Sequence, residues 1–404
     1  MPRLRAWACL TPLLIGNAAW AYPIFIKHGY VACASCHQDP SGAGLLTPYG
    51  RAQTELLLET QYGKKLASPE GEASANTRPF YGVPVPEWLL AGLTVRGGAL
   101  LTKTANPALA VPQPAVVRPL LMVLDLRAGV VAGIFRASAS LGYVPRATEA
   151  ASVTRAEPGT LHRLVSREHW LGVSVLDDVL HVRAGRMSLP FGIRTVEHTL
   201  FVRDATRTNL NDQQQHGVAV ALNLENVRAE VMGIAGNFQI RPDDYRERGY
   251  SGHAEYAPLP NLGLGISSLM TFARVDTNQF DTHPMRGAHG VFARYAPSDK
   301  VALLAEVDVL LRRADQFSTT LGYAAWGQVD YEPIRGLHGI VSLEGFDAGG
   351  SGTGGSTLGA WFGVSWFAAR GLEIRLDTLV RRIPVPLGRP IVQSTTVAQL
   401  HVYM

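Results

Sequence analysis

Residues 372–381 have the sequence Leu-Glu-Ile-Arg-Leu-Asp-Thr-Leu-Val-Arg, and this stretch decides the fold of the chain. Apolar and charged residues alternate along it: Leu372, Ile374, Leu376 and Val380 against Glu373, Arg375, Asp377 and Arg381. Because successive side chains of a strand point to opposite faces, a strand here has one apolar face and one charged face. About ten residues is also the length that a tilted strand needs to cross a bilayer. The stretch therefore predicts a membrane strand with lipid on one side and a polar lumen on the other.

The same alternation continues through most of the chain after Trp88. It is clearest in residues 120–130, 135–143, 227–234, 301–312 and 392–404. Turn-forming residues separate these segments, and Tyr and Trp recur near their ends, as in the aromatic girdles of membrane barrels. We therefore predict an all-β fold, a transmembrane antiparallel β-barrel of about 16 strands, whose even strand number returns both ends to the periplasm. The alternative is a soluble β-sandwich or propeller, whose polar face would meet bulk water.

The chain divides into four regions. Residues 1–21 are predicted to be a secretory signal peptide, because two arginines precede a short apolar run that ends in Ala-Trp-Ala at Ala21. Residues 22–66 are predicted to form a small helical and loop domain. Residues 67–87 lack periodicity and contain several prolines, so they are predicted to be a linker. Residues 88–404 are predicted to form the barrel in the bacterial outer membrane, with the amino-terminal domain reaching the periplasm or the lumen.

The composition narrows the range of functions. The chain has 404 residues, far more than the small domain of residues 22–66 needs, and only 17% of them are charged. No stretch approaches the roughly 20 consecutive apolar residues of a membrane helix. The formal net charge is only +4, without a sustained basic run, so we expect no nucleic acid partner.

The candidate functional motif is Cys33-Ala-Ser-Cys36-His37. The chain has three cysteines, and Cys9 lies in the predicted signal peptide. Cys-x-x-Cys-His is the attachment motif of c-type haem, in which both sulfurs form thioethers and the histidine ligates the iron. We therefore predict one covalent haem c, bound by Cys33 and Cys36, with His37 as an iron ligand. A disulfide or a thioredoxin-like redox pair is the alternative.

The ligand on the second face of the haem iron has several candidates. His28 lies five residues before Cys33 and is one candidate ligand. Side chains on the polar faces of barrel strands are the other candidates: Met187, Met232, His253 and His338. A third alternative is an open coordination site, which a haem enzyme such as a peroxidase requires.

Two further features of the barrel region leave alternatives open. The lumen-facing acids would either guide cations or pair with lumen-facing arginines: Glu306, Asp308, Glu344, Glu373 and Asp377. Residues 189–216 form the longest stretch without clean alternation, so they would either fold into the pore or extend outside it.

Around the haem motif the sequence resembles the fused outer-membrane cytochrome–porins, a family that includes cytochromes of iron-oxidising bacteria. The resemblance rests on two groups of residues: Pro23, Phe25, Lys27 and Gly29 before Cys33, and Tyr49-Gly50-Arg51 after it. The latter would begin a helix that runs to about Tyr62. The segment Met187 to Gly192 also resembles anion-selective porins.

The resemblance implies a haem domain packed in or against a porin barrel in the outer membrane, which passes electrons across that membrane. Its implied partners are outer-membrane lipid, a periplasmic cytochrome, and extracellular Fe(II) or another redox donor or acceptor. Two alternative functions remain: a porin whose haem domain acts as a plug or redox sensor, and a haem enzyme.

Overall fold

The structure is a computed structural model. It describes residues 23–30, 33–60, 86, 88–107, 114–143, 164–195, 197, 199–211, 213–238, 242, 244–276, 281–349, 355–386 and 388–403. The predicted signal peptide and nearly all of the predicted linker lie outside the described residues. Within these ranges, no helix has the length and hydropathy needed to cross a bilayer.

Most of the described chain forms one closed antiparallel barrel. Its strands are β3 (Leu89–Ala105), β4 (Val116–Ala132), β5 (Phe135–Tyr143), β6 (Leu164–Val165), β7 (His169–Val175), β8 (Leu180–Met187), β9 (Gln215–Asn223), β10 (Val227–Gly236), β11 (Arg248–Leu259), β12 (Leu262–Phe272), β13 (Met285–Ser298), β14 (Val301–Ala314), β15 (Phe317–Ile334), β16 (Leu337–Asp347), β17 (Thr357–Ala369), β18 (Leu372–Ile383) and β19 (Ile391–Tyr403).

Short β6 and β7 both pair with β5, so together they fill one strand position. The last strand, β19, pairs antiparallel with the first, β3, and closes the ring. The described strands thus occupy 16 positions, which confirms the predicted barrel and its strand number.

The faces of the strands follow the alternation in the sequence. In β18, Ile374 and Leu376 are 43% and 54% exposed on the outer surface, whereas Glu373 and Asp377 are 4% and 1% exposed in the lumen. The same outward row of Val, Leu, Ile and Phe continues around the ring. An apolar outer surface with a polar interior is the arrangement that lipid requires, because a bilayer cannot solvate charged groups.

The two ends of the barrel differ in their connections. At one end, which we call the turn end, adjacent strands are joined by two to four residues, as at 299–300, 335–336 and 370–371. The other end, the loop end, carries most of the long connections, including 188–214. Strand β3 begins at the turn end and β19 finishes there, since Val402 pairs with both Leu372 and Val95.

The amino-terminal segment (residues 23–60) folds from short elements. A 3-10 helix (Pro23–His28) precedes a hairpin of β1 (His37–Asp39) and β2 (Ala43–Leu46). Helix α1 (Pro48–Gln53) follows and passes into a π-helical turn (Thr54–Leu58). The helix expected from Tyr49 to Tyr62 is therefore shorter and less regular than predicted, because Glu59 already has an extended backbone. Residues 61 and 62 lie outside the described ranges.

Two chain segments occupy the lumen. The amino-terminal segment lies at the turn end, where Thr60 Oγ1 donates to Arg335 O at 3.3 Å and Gln38 Nε2 donates to Val130 O at 3.1 Å. The second is the inward loop (residues 188–214), which carries the one-turn helix α2 (Phe201–Asp204). Gly192 N of this loop donates to Ser267 Oγ on the wall at 2.8 Å. The sequence left open whether this loop folds into the pore or extends outside it. The structure shows that it folds into the pore.

Candidate functional site

The Cys33–His37 motif forms a single helical turn. The amides of Cys36 and His37 both donate to Cys33 O, at 3.2 and 3.0 Å. Positions i, i+3 and i+4 of a helical turn lie on one face, so the turn brings the two cysteines and the histidine together. Cys33 and Cys36 are not joined by a disulfide, and they are 5% and 1% exposed. The chain therefore presents two buried thiols beside one imidazole.

Helix α1 holds this turn in place. Thr47 caps the helix, since its hydroxyl accepts from Gly50 N at 3.0 Å and donates to Ser35 O at 2.9 Å. Thr47 N also donates to Cys36 O at 2.8 Å. Arg51 Nη2 donates to Ala91 O on β3, which fixes the helix to the barrel wall. The Cys33–His37 turn is thus connected to the wall through α1.

Gly50 allows the close approach between α1 and the motif. A Cβ at this position would lie 2.3 Å from Cys36 O and 2.9 Å from Cys36 Cα. Both atoms belong to the backbone, so they cannot move away as the end of a flexible side chain can. Steric crowding therefore explains why glycine occupies position 50 of the Tyr49-Gly50-Arg51 element.

We expect Gly50→Ala to separate α1 from the motif at a cost of about 1–3 kcal/mol, the usual range for overpacking. Hydrogen exchange at the Arg51 amide, which donates to Thr47 O at 3.0 Å, should accelerate by roughly 5- to 150-fold. Gly233→Ala is the matched control, because the nearest atom to its added Cβ is 4.0 Å away. Equal exchange in both variants would contradict this steric role.

Lys27 anchors the amino-terminal segment to β15. Its ammonium is 2.7 Å from Glu332 Oε2 and 3.3 Å from Asp330 Oδ1, and its side chain is 1% exposed. Its neighbours Phe25 and Ile26 pack with Phe292 and Trp326 of the wall. One buried cation thus pairs with two buried carboxylates, and apolar contacts surround it.

Asp39 anchors the opposite side of the segment. Its Oδ1 lies 2.8 Å from Arg183 Nη1 of β8 and accepts from Ser41 N and Ser41 Oγ at 2.9 and 2.7 Å. Burial alone would raise the pKa of Asp39, but the adjacent Arg183 and Arg194 charges and the Ser41 hydrogen bonds hold that pKa below its ordinary value. Arg194 of the inward loop also donates to Ser41 Oγ at 2.7 Å, so the two luminal segments contact each other.

Cys36 and His37 line a cavity of about 260 Å³ between the amino-terminal segment and the wall. Its lining is mixed. It includes apolar Phe25, Leu45 and Phe367 together with the guanidinium groups of Arg96, Arg127, Arg167, Arg194 and Arg375. Two other histidines line the same cavity, His338 of β16 and His401 of β19.

The candidates for the second iron ligand lie in different places. His28 is near Glu332, Arg335 and Asp299 at the turn end, and it is not among the described residues that line the cavity. Burial and the neighbouring Lys27 charge lower the pKa of His28. Its role as a ligand stays a prediction.

The two methionines and His253 lie apart from the cavity. Met187 and Met232 are fully buried in an apolar cluster with Trp170 and Phe191, and neither lines it. His253 is buried beside Arg228 of β10 and does not line it either. Among the barrel candidates proposed from the sequence, His338 is the one that shares the cavity with His37.

The luminal acids mostly form ion pairs with arginines or histidines. Glu306 pairs with Arg203 of the inward loop, and Glu344 pairs with Arg381 at 2.7 Å. The remaining pairs are Glu373 with His401 at 3.0 Å and Asp377 with Arg375 at 2.7 Å. Asp308 lies next to Glu306 and forms no ion pair with an arginine or histidine among the described residues. The mutual pairing of the other four favours a structural role over a cation path.

The donor set fits a covalent c-type haem. Two free cysteines and the following imidazole lie in one turn, and Cys36 and His37 face a cavity with apolar and cationic lining. Arginine side chains pair well with carboxylates such as those of a haem. A disulfide between Cys33 and Cys36 is not formed in this structure.

The sequence reasoning did not find the anchoring contacts. The sequence shows Lys27 only as a basic residue near the cysteines. Its partners Asp330 and Glu332 lie 303 and 305 positions further along the chain, so no local pattern predicts the contact. The contact of Asp330 with His338 was missed as well, although both lie in the β15–β16 hairpin. A search for acid–histidine pairs across each short turn would have found it.

Comparisons with known proteins identify the fold. No protein-family model and no curated protein matches the chain. Among solved structures, a loop L8 deletion mutant of OmpT, an outer membrane protein of Vibrio cholerae, matches with a TM-score of 0.56 and 9% identity over 78% of this chain and 99% of that chain. The anion-selective porin from Comamonas acidovorans matches with a TM-score of 0.54 and 9% identity, covering 78% of this chain and 100% of that one.

The outer membrane channel DcaP of Acinetobacter baumannii gives a TM-score of 0.55 and 10% identity over 78% of this chain and 97% of that one. At sequence identities of 9–10%, these matches show that the chain shares the fold, and they show nothing about its function. The chain therefore has a porin-type 16-strand barrel, with an amino-terminal Cys-x-x-Cys-His segment in its lumen.

Proposed function

We propose that this chain is an outer-membrane electron-transfer protein that holds one haem c through Cys33, Cys36 and His37. The observation that carries the proposal is the position of the motif, inside the lumen and against the barrel wall, with Arg228 Nη1 2.6 Å from Cys33 Sγ. When bound, the haem supplies a reversible one-electron couple.

The barrel supports an outer-membrane location. Its outer surface is apolar and its interior polar, as in outer-membrane barrels. In such barrels the short turns face the periplasm. By this rule the amino-terminal segment lies at the periplasmic end, where a periplasmic cytochrome is the proposed electron partner.

Apolar residues cover one side of the motif. Ile24, Phe25 and Ile26 form one apolar cluster with Cys36, Leu58 and wall residues that include Trp326 and Phe367. A dry, low-dielectric environment is one of the means by which proteins set a reduction potential. The inward loop covers the segment from the loop end, where extracellular Fe(II) or another redox partner is the proposed donor or acceptor.

The proposal is tested in two steps. The purified chain should carry one covalently bound haem, measured by haem staining and mass, and Cys33→Ala with Cys36→Ala should carry none. Phosphatidylcholine vesicles containing the protein would then enclose soluble ferricytochrome c, with Fe(II) citrate outside. Wild type should reduce the enclosed cytochrome, and the double variant should fall to the rate of protein-free vesicles.

The double variant is also the control for leakage, because it retains the barrel without the haem. Equal reduction in both proteins would mean that Fe(II) itself passes through the pore, and the electron-transfer proposal would be wrong. Absence of covalent haem from the wild-type protein would exclude it at the first step.

The second candidate function is a porin with the amino-terminal segment as a plug or redox sensor. The porin-type barrel itself favours it, and one similar structure is that of an anion-selective porin. Two luminal segments in contact through Arg194 and Ser41 count against an open pore. Solute-driven swelling of the same vesicles that changes with redox state would support this alternative.

A further inference from the structure

We infer that His338 Nε2 is the second axial ligand of the haem iron, opposite His37. The inference rests on the proposed function, because it assumes a haem on Cys33 and Cys36. It concerns a histidine of the barrel wall, about 300 residues after the motif.

The first observation is the state of the His338 ring. Its Nδ1 lies 3.0 Å from Asp330 Oδ1, and its side chain is 1% exposed. An ionised carboxylate only accepts hydrogen bonds, so Nδ1 carries a proton, and in the neutral imidazole the lone pair is then on Nε2. This fixes the tautomer in which Nε2 is able to bind a metal.

The second observation is that Nε2 has no hydrogen-bond partner among the described residues. Glu332 Oε1 is 3.8 Å away, beyond hydrogen-bond distance. A buried polar atom without a partner is costly, by about 1–3 kcal/mol, and needs a reason. A ligand that fills the lined cavity supplies one.

The third observation is the shared cavity. His338 lines the same cavity as Cys36 and His37, which His28, His253, Met187 and Met232 do not. Phe367 packs against the His338 ring at 5.5 Å between centroids and 83° between planes, and it also lines the cavity. The ring is therefore held by a hydrogen bond to a carboxylate and by a T-shaped contact with an aromatic side chain.

The fourth observation links His338 to the haem segment. Asp330, which orients His338, also contacts the ammonium of Lys27 at 3.3 Å. Metal-binding histidines commonly donate their second ring nitrogen to a carboxylate, which sets orientation and basicity. Here the same carboxylate contacts the segment that carries the cysteines, so docking of the segment and orientation of the ligand depend on one group.

His401 is the competing histidine. It also lines the cavity, and its Nδ1 lies 3.0 Å from Glu373 Oε2. Its side chain is 12% exposed, whereas that of His338 is 1% exposed. In addition, no hydrogen bond or ion pair among the described residues joins Glu373 or His401 to the amino-terminal segment, whereas Asp330 contacts Lys27. These two differences favour His338.

The test is spectroscopic and uses the intact, haem-loaded chain. Optical and paramagnetic resonance spectra of the ferric protein should show a six-coordinate low-spin haem in wild type, His28→Ala and His401→Ala. His338→Ala should become high-spin, and added imidazole should restore the low-spin spectrum. His338→Met keeps a side chain of similar size and offers a thioether, so it should remain low-spin with a higher reduction potential.

The possible results separate this inference from the proposed function. Failure to find covalent haem overturns both. A haem that stays low-spin in His338→Ala overturns the inference alone, and a change confined to His401→Ala or His28→Ala assigns the ligand to that residue instead. A high-spin wild-type haem would also overturn it and would favour an open site. If His338→Ala fails to fold, the potential and spectrum of His338→Met decide.

Discussion

Lys27→Met is expected to release the amino-terminal segment from the barrel wall. The substitution leaves Asp330 and Glu332, with side chains 2% and 8% exposed, as adjacent buried carboxylates without their cation. Removing one partner of a buried ion pair costs about 3–5 kcal/mol, because a buried charge is left uncompensated. The cost falls on the docked state alone, since an undocked segment lets water reach both carboxylates.

Hydrogen exchange measures this release. The amides of Gly29 and Tyr30 donate to Ile26 O and Phe25 O at 3.1 and 3.4 Å, so they report on the docked 3-10 helix. Their protection should fall by roughly 10²- to 10⁴-fold, the equivalent of about 3–5 kcal/mol. The barrel itself should remain folded, as judged by unchanged exchange in β10 and β11.

Lys300→Met is the matched control, because Lys300 is exposed in the turn between β13 and β14. It should leave exchange at Gly29 and Tyr30 unchanged. Adding Glu332→Gln to Lys27→Met removes one of the uncompensated charges and should recover part of the protection. Unchanged protection in Lys27→Met alone would show that the apolar contacts of Phe25 and Ile26 suffice.

Arg203→Met is expected to free the inward loop. Arg203 pairs with Glu306, both side chains are 1% exposed, and it also donates to Phe191 O at 3.1 Å and Thr208 Oγ1 at 2.9 Å. Without it, Glu306 and Asp308 remain as neighbouring buried carboxylates. The free energy that holds the loop in its inward position is expected to fall by about 3–5 kcal/mol.

The loop reports its release at two amides. Gly192 N donates to Ser267 Oγ and Ile193 N donates to Glu306 Oε2, both at 2.8 Å. Their exchange should accelerate by roughly 10²- to 10⁴-fold. Single-channel conductance in planar bilayers should rise, because the loop no longer fills its part of the lumen.

Arg313→Met tests whether loss of any nearby arginine has this effect, since Arg313 lies on β14 and is exposed. Adding Glu306→Gln to Arg203→Met removes the uncompensated charge and retains an oxygen for Ile193 N. This double variant should regain at least half of the lost protection. Loss without recovery would mean that the hydrogen bonds to Phe191 and Thr208, rather than charge pairing, hold the loop.

The alternation in residues 372–381 and its repeats determined the fold. The pleat of a strand puts neighbouring side chains on opposite faces, so lipid and lumen each select one set of positions. For the same reason the sequence correctly placed Glu306, Glu344, Glu373 and Asp377 in the lumen. The local spacing of Cys33, Cys36 and His37 also follows from the chain itself, because they lie within one turn.

The contents of the lumen were decided by the tertiary structure. A period-two pattern states which face a residue lies on, but it does not contain the contacts of one luminal segment with another. Lys27 contacts Glu332, and Arg194 contacts Ser41, only in the closed barrel, which brings the two luminal segments and the wall together. The inward course of residues 188–214 likewise depends on buried partners such as Glu306 on a distant strand.

The choice among the candidate ligands shows the same division. The sequence placed His28, His253 and His338 together as candidates, because each is a histidine on a polar face or near the motif. A register shift between Tyr331 and Ile334 then sets how β15 opposes β16, and Asp330 reaches His338 across that hairpin. The sequence by itself determined a polar lumen with histidines in it. The closed barrel decided which histidine shares a cavity with His37, because that depends on contacts between residues about 300 positions apart.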